Sequence, residues 1–162
     1  MPPFVVTVDD KRRIRLPDKI EQDLSWVSKK GEPAIKCRIY KGAFGGIQIA
    51  PETSDLGKQC AAFLENMSPI PTAAQSNAKW MRLRSFFKAT WPVTLGSDTS
   101  HYRCTLPAAI SDIGWVNLDP DSELVGMVDG EVLTLWDKME FAKFQTETAQ
   151  ARSVLFAEQA KK

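Results

Sequence analysis

The sequence predicts an α+β protein in which two tandem copies of one module form a single pseudo-symmetric, β-barrel-like body, with helices after each copy. Three observations predict it. First, Lys11-Arg12-Arg13-Ile14-Arg15-Leu16-Pro17 contains Arg-x-x-Leu-Pro, and Arg103-Cys104-Thr105-Leu106-Pro107 repeats that pattern 90 residues later. Second, Ile20 then answers Ile110, and Trp26-Val27 answers Trp115-Val116 after a slip of one residue. Third, each copy reads as strand, turn, strand, short helix, hairpin and long helix. A fixed internal period marks a repeat architecture. Two copies this long cannot build a solenoid, so the halves are expected to pair with each other.

The elements follow in order. Phe4-Val5-Val6-Thr7-Val8 is β-branched and reads as a strand. Asp9-Asp10-Lys11-Arg12 is a polar turn. Arg13-Ile14-Arg15-Leu16 alternates polar and apolar residues, so Ile14 and Leu16 should face inward on the return strand. Pro17 suits the first turn of a short helix, where a missing N–H costs nothing. Ile20 and Leu24 share one face of that helix, and 29–33 form a loop. Ala34–Tyr40 and Ile47–Ala50 are strands joined through Gly42 and Gly45-Gly46.

Ser54 is placed to cap a helix whose apolar face is Leu56, Cys60, Phe63, Leu64 and Met67. Ser68-Pro69-Ile70-Pro71 breaks it. Thr72 is expected to cap the next helix, through Trp80, Leu83, Phe86 and Phe87, with Lys79, Arg82, Arg84 and Lys88 outward. The second module then runs through strands at Trp91–Leu95 and Tyr102–Leu106. A short helix follows from Pro107 to near Gly114, then a hairpin about Asp129-Gly130. Asp137, with Glu140 three residues on, is expected to cap the last helix as a capping box. The resulting divisions are a first unit at 1–51, linking helices at 52–90, a second unit at 91–137 and a terminal helix at 138–162.

Composition bounds the function. The 162 residues are 43% hydrophobic and 25% charged, with net charge +1. That net charge conceals an asymmetry. Residues 1–50 hold ten Lys/Arg against six Asp/Glu, whereas residues 91–162 hold six against eleven. A dipolar chain of this kind can present one positive face. Cys37, Cys60 and Cys104 are odd in number and far apart, unlike a disulfide framework or a zinc site. Buried free thiols in a reducing cytosol are expected. No apolar run reaches the roughly 20 residues of a membrane span, and the start lacks the pattern of a signal peptide. Walker loops, zinc-protease motifs and nucleophile elbows are missing from the sequence. His101 is the sole histidine. No enzyme activity, metal or cofactor is therefore expected.

The loop around residues 9–15 is the candidate site. Lys11, Arg12, Arg13 and Arg15 crowd four cations into five residues. Arginine suits bidentate contact with phosphate and guanine, and a two-stranded ribbon fits the DNA major groove. One reading has Lys11 and Arg12 toward phosphates and Arg13 or Arg15 toward base edges. The other is a solvated hairpin in which Arg13 is clasped by Asp9. The corresponding loop at 97–103 offers His101 and Arg103 as cations, with Tyr102 able to stack or donate a hydrogen bond. The two bends are expected to project into water side by side.

Several stretches resemble the MraZ family of bacterial transcription regulators, which are built from two tandem swapped-hairpin units of the AbrB/SpoVT type. Asp9-x-x-x-Arg13 with Leu16-Pro17 is similar to the family's Asp-x-x-Gly-Arg and following proline. Ala78-Lys79-Trp80-x-x-Leu83-Arg84-Ser85-Phe86-Phe87 resembles its Arg- and Phe-rich helix. Leu124–Met127 through Leu135-Trp136-Asp137 resembles its hairpin ending in Ile-Trp. Arg12 and Tyr102 stand where the family has the turn glycine, so this turn is expected to take another shape. The resemblance implies sequence-specific binding of repeated sites on double-stranded DNA, a ring-like homo-oligomer, and a cytoplasmic, nucleoid-associated location. The candidate contacts are Lys11, Arg12, Arg13, Arg15, His101 and Arg103. The alternative is an oligomeric structural or partner-binding protein that kept the fold and lost the DNA.

Overall fold

The computed structural model describes residues 2–27, 32–42, 45–67, 77–97 and 102–160. The first half contains β1 (Phe4–Thr7), β2 (Arg13–Leu16), α1 (Ile20–Asp23), β3 (Ile35–Lys41), β4 (Ile47–Pro51), α2 (Asp55–Glu65) and α3 (Ala78–Lys88). The second contains β5 (Trp91–Ser97), β6 (Tyr102–Thr105), α4 (Ala109–Asp112), β7 (Glu123–Asp129), β8 (Val132–Asp137) and α5 (Lys138–Ala160). The strands form one antiparallel sheet in the order β1-β7-β8-β4-β3-β5-β6-β2. Its end strands, β1 and β2, pack beside each other, so the sheet is a nearly closed barrel.

Exchanging the two halves maps this order onto itself. The first strand of each half pairs with the third strand of the other, as β1 with β7 and β5 with β3. Two pairs join equivalent strands, β4 with β8 and β2 with β6. In the second of these Ile14 faces Cys104. Those residues are separated by the repeat offset of 90, so the pseudo-twofold axis passes through this pair.

Alternation fills the barrel. Ile14, Leu16, Cys37, Ile39, Ile47, Ile49, Leu95, Cys104 and Leu135 all point inward and are buried. The short helices supply further residues to the same core, Ile20 from α1 and Ile110 from α4. Each such aliphatic side chain stabilises the fold by about 1.5–3 kcal/mol. Outside the barrel, α2 and α3 cover Tyr40 and Ala50 with Cys60 and Phe87. On the other side α5 covers Val125 and Trp136 with Phe141 and Phe144. Beyond Phe144 the helix is largely exposed, with Val154 and Leu155 each 58% accessible.

The caps divide. The Ser54 hydroxyl accepts from Gly57 N–H at 3.0 Å, as expected at the start of α2. The cap of α3 is Asn77, whose side chain accepts from Trp80 N–H at 2.8 Å. The expected cap at Thr72 lies outside the described residues. Asp137 precedes α5, but its Oδ1 accepts from Asn117 N–H at 2.8 Å and so ties the strand end to the loop after α4. Glu140 pairs with Lys143 at 3.2 Å. Arg84 is half-buried, its guanidinium carbon 5.8 Å from the centre of the Trp80 ring, a cation–π contact. Lys79, Arg82 and Lys88 are exposed as expected.

Candidate nucleic-acid interface

The first bend is shaped by Asp9. Its Oδ1 accepts from the backbone N–H groups of Lys11 and Arg13, both at 2.8 Å, and its Oδ2 accepts from Arg13 Nε at 2.7 Å. The Arg13 backbone N–H is the strongest influence holding this carboxyl below its ordinary 3.8; desolvation opposes it, and the Arg13 guanidinium and the Lys11 N–H add to the lowering. In the backbone, Arg12 N–H bonds Asp9 O at 3.2 Å and Asp9 N–H bonds Arg13 O at 3.0 Å. This is a turn closed by a bulge, and the bulge residue must be left-handed.

That residue is Arg12, at φ 58°. A non-glycine residue is expected to avoid a positive φ here and so change the turn; Arg12 adopts one instead. Arginine takes the conformation that glycine would take, at a cost of roughly 1–2 kcal/mol. Compensation comes from the other half of the chain. Leu106 N–H donates to Arg12 O at 2.9 Å, and Arg12 Nε donates to Leu106 O at 3.2 Å. Arg12→Gly should relieve the strain while losing the side-chain bond, and Arg12→Ala should lose the bond alone. The glycine variant should thus be more stable than the alanine variant by about 1 kcal/mol in urea unfolding. The opposite order would contradict a left-handed residue 12.

Tyr102 lies within β6, fully buried, and donates its hydroxyl to Glu21 Oε2 at 2.5 Å. Burial, and then the Glu21 carboxylate, push its phenol up to about 12. It is a core residue with a hydrogen bond to α1 and is not available for stacking on a base. His101, Asp98 and Thr99 lie outside the described residues.

Strands β2 and β6 are antiparallel, so Arg13 and Tyr102, the residues at which the chain enters them, lie at opposite ends of the ribbon and not side by side. What the ribbon does bring together is the cations that alternate with its buried residues. Arg13 faces Thr105 and Arg15 faces Arg103, all on the outer face of the sheet. Arg13, Arg15 and Arg103, with Thr7, Asp9 and Ile14, line one shallow depression of ≈ 200 Å³. The side chain of Arg13 is 39% accessible despite its bond to Asp9. Lys11 and Arg12 are exposed beside it.

The remaining tryptophans are structural. Trp26 donates to Glu131 O at 2.7 Å, and Trp91 meets Trp115 edge-on at 5.2 Å. Among the described residues there is no group of His, Cys, Asp and Glu able to hold a metal ion, and no helix is long and apolar enough to cross a membrane. Compared with protein-family models and with curated proteins, the sequence matches none.

Proposed function

We propose that this chain is a sequence-specific DNA-binding transcription regulator of the MraZ type, assembled from two tandem swapped-hairpin units. The observation that carries the reading is the outer face of the β2·β6 ribbon, which sets Arg13, Arg15 and Arg103 around one depression with Lys11 and Arg12 at its end. The ribbon's guanidinium groups suit phosphate oxygens and guanine edges. The exchange of strands between halves, β1 with β7 and β5 with β3, supports the swapped-hairpin description.

Copies of the chain would assemble through apolar surface such as Met139, Val154 and Leu155, which are exposed. In a ring, weak contacts made by each copy would add through effective concentration, favouring repeated DNA sites. The role is regulatory and not enzymatic, and it places the protein on the nucleoid in the cytoplasm.

The test is salt dependence. If Lys11 and Arg12 each engage a phosphate and Arg15 and Arg103 engage a third between them, the log–log slope of affinity against salt should be about −2.7 for each chain. Affinity should fall roughly 40-fold between 50 and 200 mM salt. Selection from random duplex DNA at low salt that recovers no bound fragment would reject the reading. A second reading, a partner-binding protein that no longer grips DNA, is favoured by the hold on Arg13 from Asp9 and by the buried Tyr102. It predicts that failed selection.

A further inference from the structure

We infer that Arg15 and Arg103, one from each half of the chain, form a two-guanidinium clamp on a single phosphate group, and that this clamp fixes the direction in which the protein lies on a nucleic acid. The inference rests on the DNA-binding reading above for its second part and on the geometry of the ribbon for its first.

Arg15 and Arg103 are directly opposed on antiparallel strands, both exposed, and both line the same depression. Opposed residues have Cβ atoms about 5 Å apart, so like charges in these positions repel. An anion between them reverses the sign of that interaction. A phosphate offers two non-bridging oxygens, and each can accept a charge-assisted bond from a different guanidinium. Neither half of the repeat could build this arrangement alone.

The other end of the ribbon has no equivalent. By the repeat offset, Arg13 corresponds to Arg103 and Arg15 corresponds to Thr105. Thr105 faces Arg13, where a second pair of arginines would complete the symmetry. The backbone of the ribbon is thus symmetric while its charge is not. One end anchors a phosphate by two arginines, leaving Arg13 at the other end as the candidate for a base edge.

The experiment has three arms. In the first, inorganic phosphate is titrated into the intact protein during thermal melts. The melting temperature of the wild type should rise with phosphate, and that rise should vanish in Arg15→Ala and in Arg103→Ala. In the second, both single variants and the double variant are measured on a duplex recovered by selection. Each single change should weaken binding roughly tenfold and flatten the salt slope by about one. The double change should cost little more than either, whereas contacts to separate phosphates would multiply to about 100-fold. In the third, an iron-chelate cleaver is attached at Asp10→Cys, the native thiols being buried. The wild type should cut on one side of the site. Thr105→Arg, which builds a second clamp, and Arg15→Thr, which removes the first, should each cut on both sides.

Phosphate protection without any selected DNA would keep the clamp, reject the DNA reading and with it the claim of direction. Multiplicative losses together with no phosphate effect would overturn the clamp. One-sided cutting by both symmetrised variants would overturn the claim of direction.

Discussion

Between pH 9 and pH 12 the folded state should lose stability steadily as pH rises, because two buried thiols keep their protons in the fold and release them on unfolding. Cys37 and Cys104 are both fully or almost fully enclosed in the barrel. Burial is the main influence on each and pushes both from 9.0 up to about 12. The sign follows from which state holds the proton. Above pH 9 the unfolded chain ionises these thiols and the folded chain does not, so the unfolded state is favoured as pH rises. Below pH 9 both states are protonated and the contribution is complete. Tyr102 adds to the loss above pH 10, because its folded value is also about 12. Urea unfolding at a series of pH values measures the slope. Cys104→Ala will lower stability at every pH through the space it leaves. The informative result is the slope, which should fall by about half between pH 9 and pH 10. An unchanged slope would mean that Cys104 ionises within the fold.

How the sequence encodes this interior is visible at particular positions. The alternation Arg13-Ile14-Arg15-Leu16 and its copy Arg103-Cys104-Thr105-Leu106 separate inside from outside, because successive strand residues point to opposite faces. Burial of Ile14, Leu16, Cys104 and Leu106 follows that period. The same alternation puts Tyr102 inside, two residues before Cys104, although its place in a cationic loop invited a role at the surface. Pro17 and Pro107 mark the starts of the short helical turns, through Ile20 N–H to Pro17 O at 3.0 Å and Ile110 N–H to Pro107 O at 3.3 Å.

That the halves pair was legible from the repeat; which strands pair across them was not. A repeat says that two segments are alike, but not whether each closes on itself or on its twin. Direction was lost for the same reason. Equivalent strand starts lie at opposite ends when the strands are antiparallel about an axis. Asp9 was legible as a possible clasp because a short acid four residues before an arginine can reach it around a turn. The left-handed Arg12 was not, since its cost is offset by Leu106, a residue 94 positions away.

These facts bear on what the ribbon can do. Asp9 fixes the bend, Leu106 anchors Arg12, and the Ile14–Cys104 pair centres the two strands. Each contact constrains the backbone that carries the cations. A rigid ribbon loses little conformational freedom on meeting a polyanion, and such preorganisation favours affinity. Arg13 is the residue most affected, since its bond to Asp9 limits its reach and sets its orientation together.

Gly46→Ala should be strongly destabilising, at about 3 kcal/mol or more. Gly45-Gly46 read as a hairpin connection, which explains a flexible residue but not this one. Gly46 sits at φ 69°, where alanine is strained by roughly 1–2 kcal/mol. A Cβ there would also press into the carbonyl oxygen of Leu135 and the indole ring of Trp136. Neither can yield cheaply. Leu135 is paired with Ile47 across β4 and β8 and with Gly126 across β7 and β8. Trp136 is 6% accessible and stacks on Phe144 at 5.6 Å. The substitution therefore strains the join between the halves and the seat of α5 together. Gly45→Ala is the control, because a Cβ at that position meets nothing within 4 Å while φ is 90°. It carries the backbone strain without the clash. Chemical unfolding should place Gly45→Ala about 1–2 kcal/mol below the wild type and Gly46→Ala well below that. Equal losses would show that β8 does not approach β4 as closely as this barrel requires.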